Sequence, residues 1–212
     1  GAANITTAAN DRAEFVSLGS GNWICVDYTT ADGTAVVAAG SDWEFVSDTA
    51  ATAAAALSVT GLATGYDYIL SVYNIKPNTD ADNLLGHVTE DNGATWEADA
   101  AAYGWSAVNN GAPESNYSDT QIRFNRSAAY TFGNDASSVN SYDILLVNPG
   151  GTGLYKTISA TGTMMGSAAT PEKLDVVVAA VYIGGTVAIN GFRLTWGSGG
   201  NFVAQGGVII NR

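Results

Sequence analysis

The alternation of apolar and polar residues predicts several short β-strands along this chain. Residues 66–75 place Tyr68, Leu70 and Val72 on one face of a strand, and residues 142–147 form a second strong strand. Residues 174–183 are apolar at almost every position, which is typical of a strand covered on both faces. Further strands are predicted at 43–46, 57–62, 186–196 and 202–210.

A smaller unit is predicted before residue 40. Residues 14–18 and 23–28 suit strands, and the Gly- and Asn-rich residues 19–22 between them favour a hairpin. A lone hairpin buries too little apolar surface to be stable in water. We therefore expect residues 1–40 to pack on the main body, on another copy of the chain or on an upstream segment, and residues 41–212 to form a separate domain.

Composition supports an all-β fold. The chain has 212 residues with 46% hydrophobic and 13% charged residues, and its 25 Gly exceed its 20 acidic residues. Lys and Glu, which are common on helix surfaces, are scarce. Short strands joined by polar turns predict an antiparallel β-sandwich, jelly-roll-like, with a small N-terminal β-hairpin unit.

Charge and cysteine content argue against several classes of partner and cofactor. A net charge of −12 and a pI of about 4.1 are unfavourable for nucleic-acid binding. No apolar run reaches the ~18 residues of a membrane helix, so we expect no membrane insertion. One Cys and one His make an intrachain disulfide and a structural zinc site implausible, and we expect no metal and no cofactor. Cys25 is interpreted as a small buried hydrophobe.

Residues 89–96 match the Asp-box pattern, Ser/Thr-x-Asp-x-Gly-x-Thr-Trp. In this turn Asp91 is expected to accept hydrogen bonds from the backbone, Gly93 to supply a positive φ, and Trp96 to insert into the sheet. The motif occurs in sialidases as a structural turn away from the catalytic centre. We therefore interpret it as a structural turn.

An acidic cluster surrounds this turn, formed by Glu90, Asp91, Glu97 and Asp99. It could be a calcium site, the paired carboxylates of a glycosidase, or a solvated acidic loop. The regular ligand spacing of calcium loops is missing. No G-x-S-x-G segment accompanies His87, which favours an ordinary strand histidine over a catalytic triad.

Three aromatic residues fall in a Gly/Asn-rich stretch, residues 100–119. If Tyr103, Trp105 and Tyr117 lie exposed on loops, they could stack on sugars. The alternative is that they cover one end of the core, because large aromatic side chains are usually buried.

Two stretches resemble virion proteins of tailed bacteriophages. Residues 5–15, 19–23 and 31–34 resemble a short β-module of tail-fibre and other appendage proteins. From Trp43 onward, the order of the phrases at 66–70, 91–96, 103–105, 148–149 and 199–202 resembles fibre or decoration components with a β-sandwich body.

This resemblance implies a non-enzymatic structural protein on the surface of a virion. Its partners would be other virion proteins and copies of itself, in a homotrimer, with a host-surface glycan as a further contact. It would assemble in the host cytoplasm and then become extracellular. Two alternatives stay open: a carbohydrate-binding module that uses Tyr103, Trp105 and Tyr117, and a polysaccharide depolymerase that uses the carboxylates near Asp91.

Overall fold

The computed structural model describes residues 12–19, 22–29, 43–125, 130–135, 138–167 and 173–212. Every regular element in these ranges is a β-strand. The chain folds as two compact units, Gly1–Asp42 and Trp43–Arg212. The boundary predicted at residue 40 lies outside the described residues.

The first unit contains the predicted hairpin. Strand β1 (Arg12–Gly19) pairs antiparallel with β2 (Asn22–Thr29). The register shifts between Glu14, which pairs with Asp27, and Phe15, which pairs with Cys25. Strand β2 therefore has one extra residue at this point, as in a β-bulge. The side chains of β2, including Cys25, lie outside the description.

The described residues of the second unit form twelve strands. They are β3 (Phe45–Ala50), β4 (Ala56–Thr60), β5 (Tyr68–Ile75), β6 (Leu84–Thr89), β7 (Tyr103–Asn109), β8 (Ala112–Asp119), β9 (Ile122–Arg123), β10 (Asn140–Val147), β11 (Lys156–Met165), β12 (Lys173–Tyr182), β13 (Gly191–Trp196) and β14 (Gly207–Asn211). The large sheet has eight strands in the order β3-β14-β5-β10-β11-β12-β7-β8, and the small sheet has four in the order β4-β13-β6-β9.

The strand order is that of a jelly roll with an extended sheet. The chain alternates between the sheets from β3 to β7, crosses again from β8 to β9 and to β10, and finally crosses from β12 to β13 and to β14. This places β3-β14-β5-β10 against β4-β13-β6-β9 as the two four-stranded halves. Strands β11, β12, β7 and β8 extend the large sheet beyond β10. All strand pairs within the two sheets are antiparallel, so the predicted β-sandwich is confirmed.

The core lies between the sheets and is rich in aromatic rings. Phe124 makes edge contacts with Tyr142 of the large sheet, at 6.0 Å between ring centroids, and with Phe192 of the small sheet, at 6.3 Å. Phe132 stacks edge-on against Trp196 at 5.2 Å. Such arrangements stabilise a core beyond the area that they bury.

Three sequence predictions about strands need correction. Residues 174–183 were expected to be covered on both faces, yet β12 alternates, and Val177 is 54% exposed. The reason is that β12 lies inside the large sheet, but the small sheet covers only one side of that sheet. Strand β13 begins at residue 191 rather than 186, and β14 begins at residue 207 rather than 202.

Candidate binding site on the outer face of the large sheet

The outer face of the large sheet carries mostly small and hydroxyl-bearing side chains. Successive residues of a strand point to opposite faces, and the buried positions of β5, β10 and β11 identify which residues point outward. The outward residues at the centre of the face are Ile69, Ser71, Ser141, Asp143, Leu145, Thr157, Ser159, Thr161 and Thr163.

A groove with a volume of about 550 Å³ crosses this face. This size lies within the ~300–1,000 Å³ range of small-molecule sites. A smaller cavity of about 330 Å³ shares Ser71, Asp143 and Thr161 with it. The lining residues of the groove are Trp43, Ile69, Ser71, Asp143, Leu145, Ser159, Ala160, Thr161 and Asn211. We call this cavity the outer groove.

Strand register sets the chemistry of the outer groove. Ile69 pairs with Leu145, which pairs with Ser159 on the next strand. The neighbouring row joins Ser71, Asp143 and Thr161. The outer groove therefore places a largely apolar row beside a polar one.

The polar row is ordered by a hydrogen bond. The Ser71 hydroxyl donates to Oδ1 of Asp143 at 2.7 Å. With the Ser71 proton committed to Asp143, these two residues present acceptors to a ligand, while the Thr161 hydroxyl in the same row can donate and accept. The row is therefore suited to contact hydroxyl groups.

Trp43 lies at the entrance to β3 and remains 49% exposed. The following residue, Glu44, pairs through its backbone with Arg212, with N···O distances of 2.7 and 2.9 Å. The Arg212 guanidinium Nε also lies 3.0 Å from a Glu44 carboxylate oxygen. These contacts fix the start of β3 beside the end of β14, and Trp43 and Asn211 both line the outer groove.

The three aromatic residues predicted for sugar stacking are not on loops. Tyr103 and Trp105 lie in β7 and Tyr117 in β8, and the Gly/Asn-rich character of the stretch belongs to the Asn110–Gly111 turn, where both φ values are positive. Tyr103 and Trp105 are buried, with 0% and 3% exposure, as the core alternative requires.

Tyr117 alone of these three is exposed, at 79%. It borders a shallow depression of about 270 Å³ that is also lined by Gly104 and Val181. The Trp105 indole N–H donates to the Asp119 carboxylate at 2.9 Å, so it already has an acceptor within the protein. An exposed three-ring platform is therefore not formed.

The Asp91 turn is held by its own side chains. Thr95 donates to the Asp91 carboxylate from its backbone N–H at 2.8 Å and from its hydroxyl at 2.6 Å, and the Thr89 hydroxyl donates at 2.7 Å. The Thr95 hydrogen bonds, with that of Thr89, lower the pKa of Asp91 to about 2. Gly93 has a φ of +90°, a conformation that suits glycine.

Trp96 closes the turn in a half-buried position, and the Arg193 guanidinium lies over its ring at 4.9 Å. The turn is also tied to neighbouring loops, because Asn92 donates from its backbone to Asn190 and accepts from Gly61, each at 2.7 Å. The polar and aromatic residues of the motif therefore make contacts that stabilise the turn and its position, which is a structural role.

The acidic cluster divides into two sets. Glu90 and Glu97 both face the buried Tyr182 hydroxyl, at 2.9 and 3.2 Å, whereas Asp91 serves the turn. Burial, followed by the hydrogen bond to Glu90, raises the pKa of Tyr182 far above its usual value. Asp99 donates its backbone N–H to Glu97 at 3.3 Å. Within the described residues, no three acidic, His or Cys side chains are grouped to hold a metal ion.

His87 lies buried in β6, edge-on to Tyr103 at 6.4 Å. Burial, and then the charge of Arg193, lower the pKa of His87 to about 4. The ring is therefore neutral at pH 7, in keeping with a histidine of the core.

Sequence reasoning did not identify the outer groove. The pattern predicts one strand that contains Trp43 and another that contains residues 69 and 71. It does not predict that these residues line one cavity. The signal in the sequence is a Ser or Thr at every second position from 157 to 163. This pattern suits a strand with one solvated face.

These features define the chain as an all-β protein with a jelly-roll sandwich and a groove on its larger sheet. The described residues contain no helix of the length and apolarity that crossing a membrane requires. Comparison of the chain with protein-family models, curated proteins and solved structures gave no significant match.

Proposed function

We propose that this chain is a non-enzymatic structural protein on the surface of a bacteriophage virion, as a fibre or decoration component. The sandwich faces outward, and the N-terminal unit joins it to other virion proteins or to copies of itself. The resemblance of residues 5–34 and 43–202 to phage appendage proteins is the basis for naming a virion.

The observation that carries the proposed assembly is the exposure of the described residues on both faces of β1. Arg12, Glu14 and Val16 lie on one face, and Ala13 and Ser17 lie on the other, and all five are exposed. Val16 is 44% exposed although it is apolar. An isolated hairpin is at best marginally stable in water. The exposure of these five described residues therefore favours a partner for the N-terminal unit.

The contacts of the candidate catalytic groups support a non-enzymatic role. Asp91 is committed to its turn, and Glu90 and Glu97 face the Tyr182 hydroxyl. The depolymerase alternative would require one of these three carboxylates to be released from its present contacts, or would have to depend on Asp99, which is exposed. The carbohydrate-binding alternative overlaps with the proposal, because a receptor-binding appendage also contacts glycans.

Sedimentation analysis of the full chain tests the proposed assembly. We expect a homotrimer, following the phage resemblance, and a shift to monomer in Val16→Asp, because a charge would be placed in the hairpin interface. Val177→Asp is the matched control, since Val177 is 54% exposed on the sandwich and its replacement should leave the trimer intact. A wild-type monomer at all concentrations would refute the proposed assembly.

A further inference from the structure

We propose that the outer groove binds a segment of neutral polysaccharide, with the Trp43 indole as its stacking surface. This inference rests on the proposed function, because it names what the outward face of the sandwich contacts. It replaces Tyr103 and Trp105, which are buried, with a different aromatic residue on a different part of the sheet.

Trp43 supplies the apolar surface that a sugar ring requires. A pyranose has an apolar face of C–H groups and a rim of hydroxyls, so it fits a flat aromatic ring beside polar groups. Trp43 is 49% exposed and lines the outer groove, and its neighbours there include Ile69 and Leu145. An indole also loses little conformational entropy on binding, because it has two rotatable side-chain bonds.

The remaining lining groups match the rim of hydroxyls. Ser159 and Thr161 each offer a hydroxyl that donates and accepts, and Asn211 offers an amide that does both. Ser71, whose proton is donated to Asp143, offers an acceptor. Asp143 offers carboxylate acceptors, with one oxygen already accepting from Ser71 at 2.7 Å. A ligand with alternating donors and acceptors along its length can satisfy these groups in sequence.

Charge selects a neutral ligand. Among the residues that line the outer groove, Asp143 is the one with a charged side chain, and it is negative. The chain as a whole carries a net charge of −12. A polyanion such as a sulfated or uronic-acid polysaccharide would be repelled both locally and at a distance, whereas a neutral glycan meets no such barrier.

The outer groove is continued by the neighbouring cavity, which shares three of its lining residues. The smaller cavity continues from Ser71, Asp143 and Thr161 toward Tyr73 and Thr163. A chain of several sugar units can lie along such a surface, whereas a single sugar would contact only part of it. We therefore assign the ligand to polysaccharides rather than to monosaccharides.

Native affinity electrophoresis of the full chain tests the inference. The gels contain dextran, mannan or galactan as neutral probes, and dextran sulfate as the charged counterpart of the first. We expect at least one neutral polysaccharide to retard the wild-type chain and dextran sulfate to have no such effect. Failure of all three neutral probes, or stronger retardation by dextran sulfate, would overturn the inference.

Three variants locate the site. Trp43→Ala removes the stacking ring and should weaken binding about tenfold or more. Ser159→Leu fills the floor and should have a similar effect, while Tyr117→Ala removes a more exposed aromatic residue elsewhere on the sheet and should bind like wild type. Unchanged retardation of both Trp43→Ala and Ser159→Leu, with their unfolding transitions intact, contradicts the assignment, as does loss of binding in Tyr117→Ala.

Two further outcomes separate this inference from the proposed function. If the chain is found on the virion and trimerises but binds no neutral polysaccharide, the inference fails and the proposed function stands. If Trp43→Ala changes the sedimentation of the chain, the outer groove is an interface between copies, and the glycan assignment is wrong.

Discussion

The two faces of the large sheet differ in chemistry although the same strands form both. The inner face carries Tyr68, Tyr142 and Tyr182, each at most 2% exposed. The outer face of the same sheet carries Ser71, Ser159 and Thr161. Because side chains alternate along a strand, adjacent residues belong to different environments, and a one-residue slip would exchange the two faces. The inner face therefore determines stability and leaves the outer face free to determine what the protein contacts.

The largest expected effect comes from neighbouring residues of β10. Ile144 is 0% exposed, and Ile144→Ala should reduce the free energy of unfolding by about 2–5 kcal/mol, because it leaves a cavity between the sheets. Leu145→Ala, on the half-buried outer face, should cost about 1 kcal/mol. Urea denaturation followed by Trp fluorescence measures both. Equal losses would mean that the outer face is buried by something in solution.

Two glycines give the next largest contrast. At Gly162, on the inner side of β11, a Cβ would clash with the backbone carbonyl of Ser141 and lie 2.8 Å from the Tyr142 ring. Gly162→Ala should therefore cost about 1–3 kcal/mol through overpacking. At Gly104, on the outer side, a Cβ would meet Val181 at 3.4 Å, an ordinary contact.

Gly104→Ala is thus the control, and its unfolding free energy should stay close to that of wild type in the same urea titration. A loss as large as that of Gly162→Ala would show that packing does not distinguish the two faces.

The Asp91 turn belongs to neither face and depends on polar contacts. The pKa of the Asp91 carboxyl is lowered from 3.8 to about 2. The ionised carboxylate therefore stabilises the folded state above pH 3.8, and this stabilisation is lost as the pH falls through about 2. Asp91→Asn has no such titration. The melting temperature of wild type should exceed that of Asp91→Asn near neutral pH, and the difference should shrink in acid.

This comparison isolates Asp91, because His87, which also titrates in acid, is present in both proteins. A difference in melting temperature that stays constant down to about pH 2 would contradict the pKa assignment.

The smallest effect is expected on the outer face of β12. Val177 is 54% exposed, and Val177→Ser should change stability by no more than about 0.5 kcal/mol. Its neighbour Val176 is 1% exposed, so Val176→Ser should be clearly destabilising. If thermal unfolding gave both variants the same loss, β12 would be covered on both faces, as its apolar sequence first indicated.

Much of the fold follows from the sequence because several strands alternate strongly. Residues 66–75 and 142–147 correspond closely to β5 and β10, and the N-terminal hairpin follows from its turn residues. Strand β11 was missed because Ser, Thr and Gly dominate it, and only its pairing with β10 and β12 makes it a strand. The pattern does not predict strands β7 and β8, because Gly, Asn and Pro interrupt the alternation in residues 100–119.

The candidate site was less predictable than the fold. Trp43 and Asn211 lie at opposite ends of the second unit in sequence, and the pairing of β3 with β14 brings them to one cavity. Periodicity predicts which residues of a strand share a face, but it does not predict which strands are neighbours. The Asp91 turn could be identified in advance because its hydrogen bonds are local.

The most direct test of the account is a reconstruction, by electron cryomicroscopy, of the phage particle on which we propose that this chain lies. We predict density for the sandwich on the outside of the particle, with Trp43 and the outer groove facing solvent and the hairpin unit in contact with other subunits. A particle that lacks this density, or that buries the outer groove against the capsid or tail, would contradict the central claim.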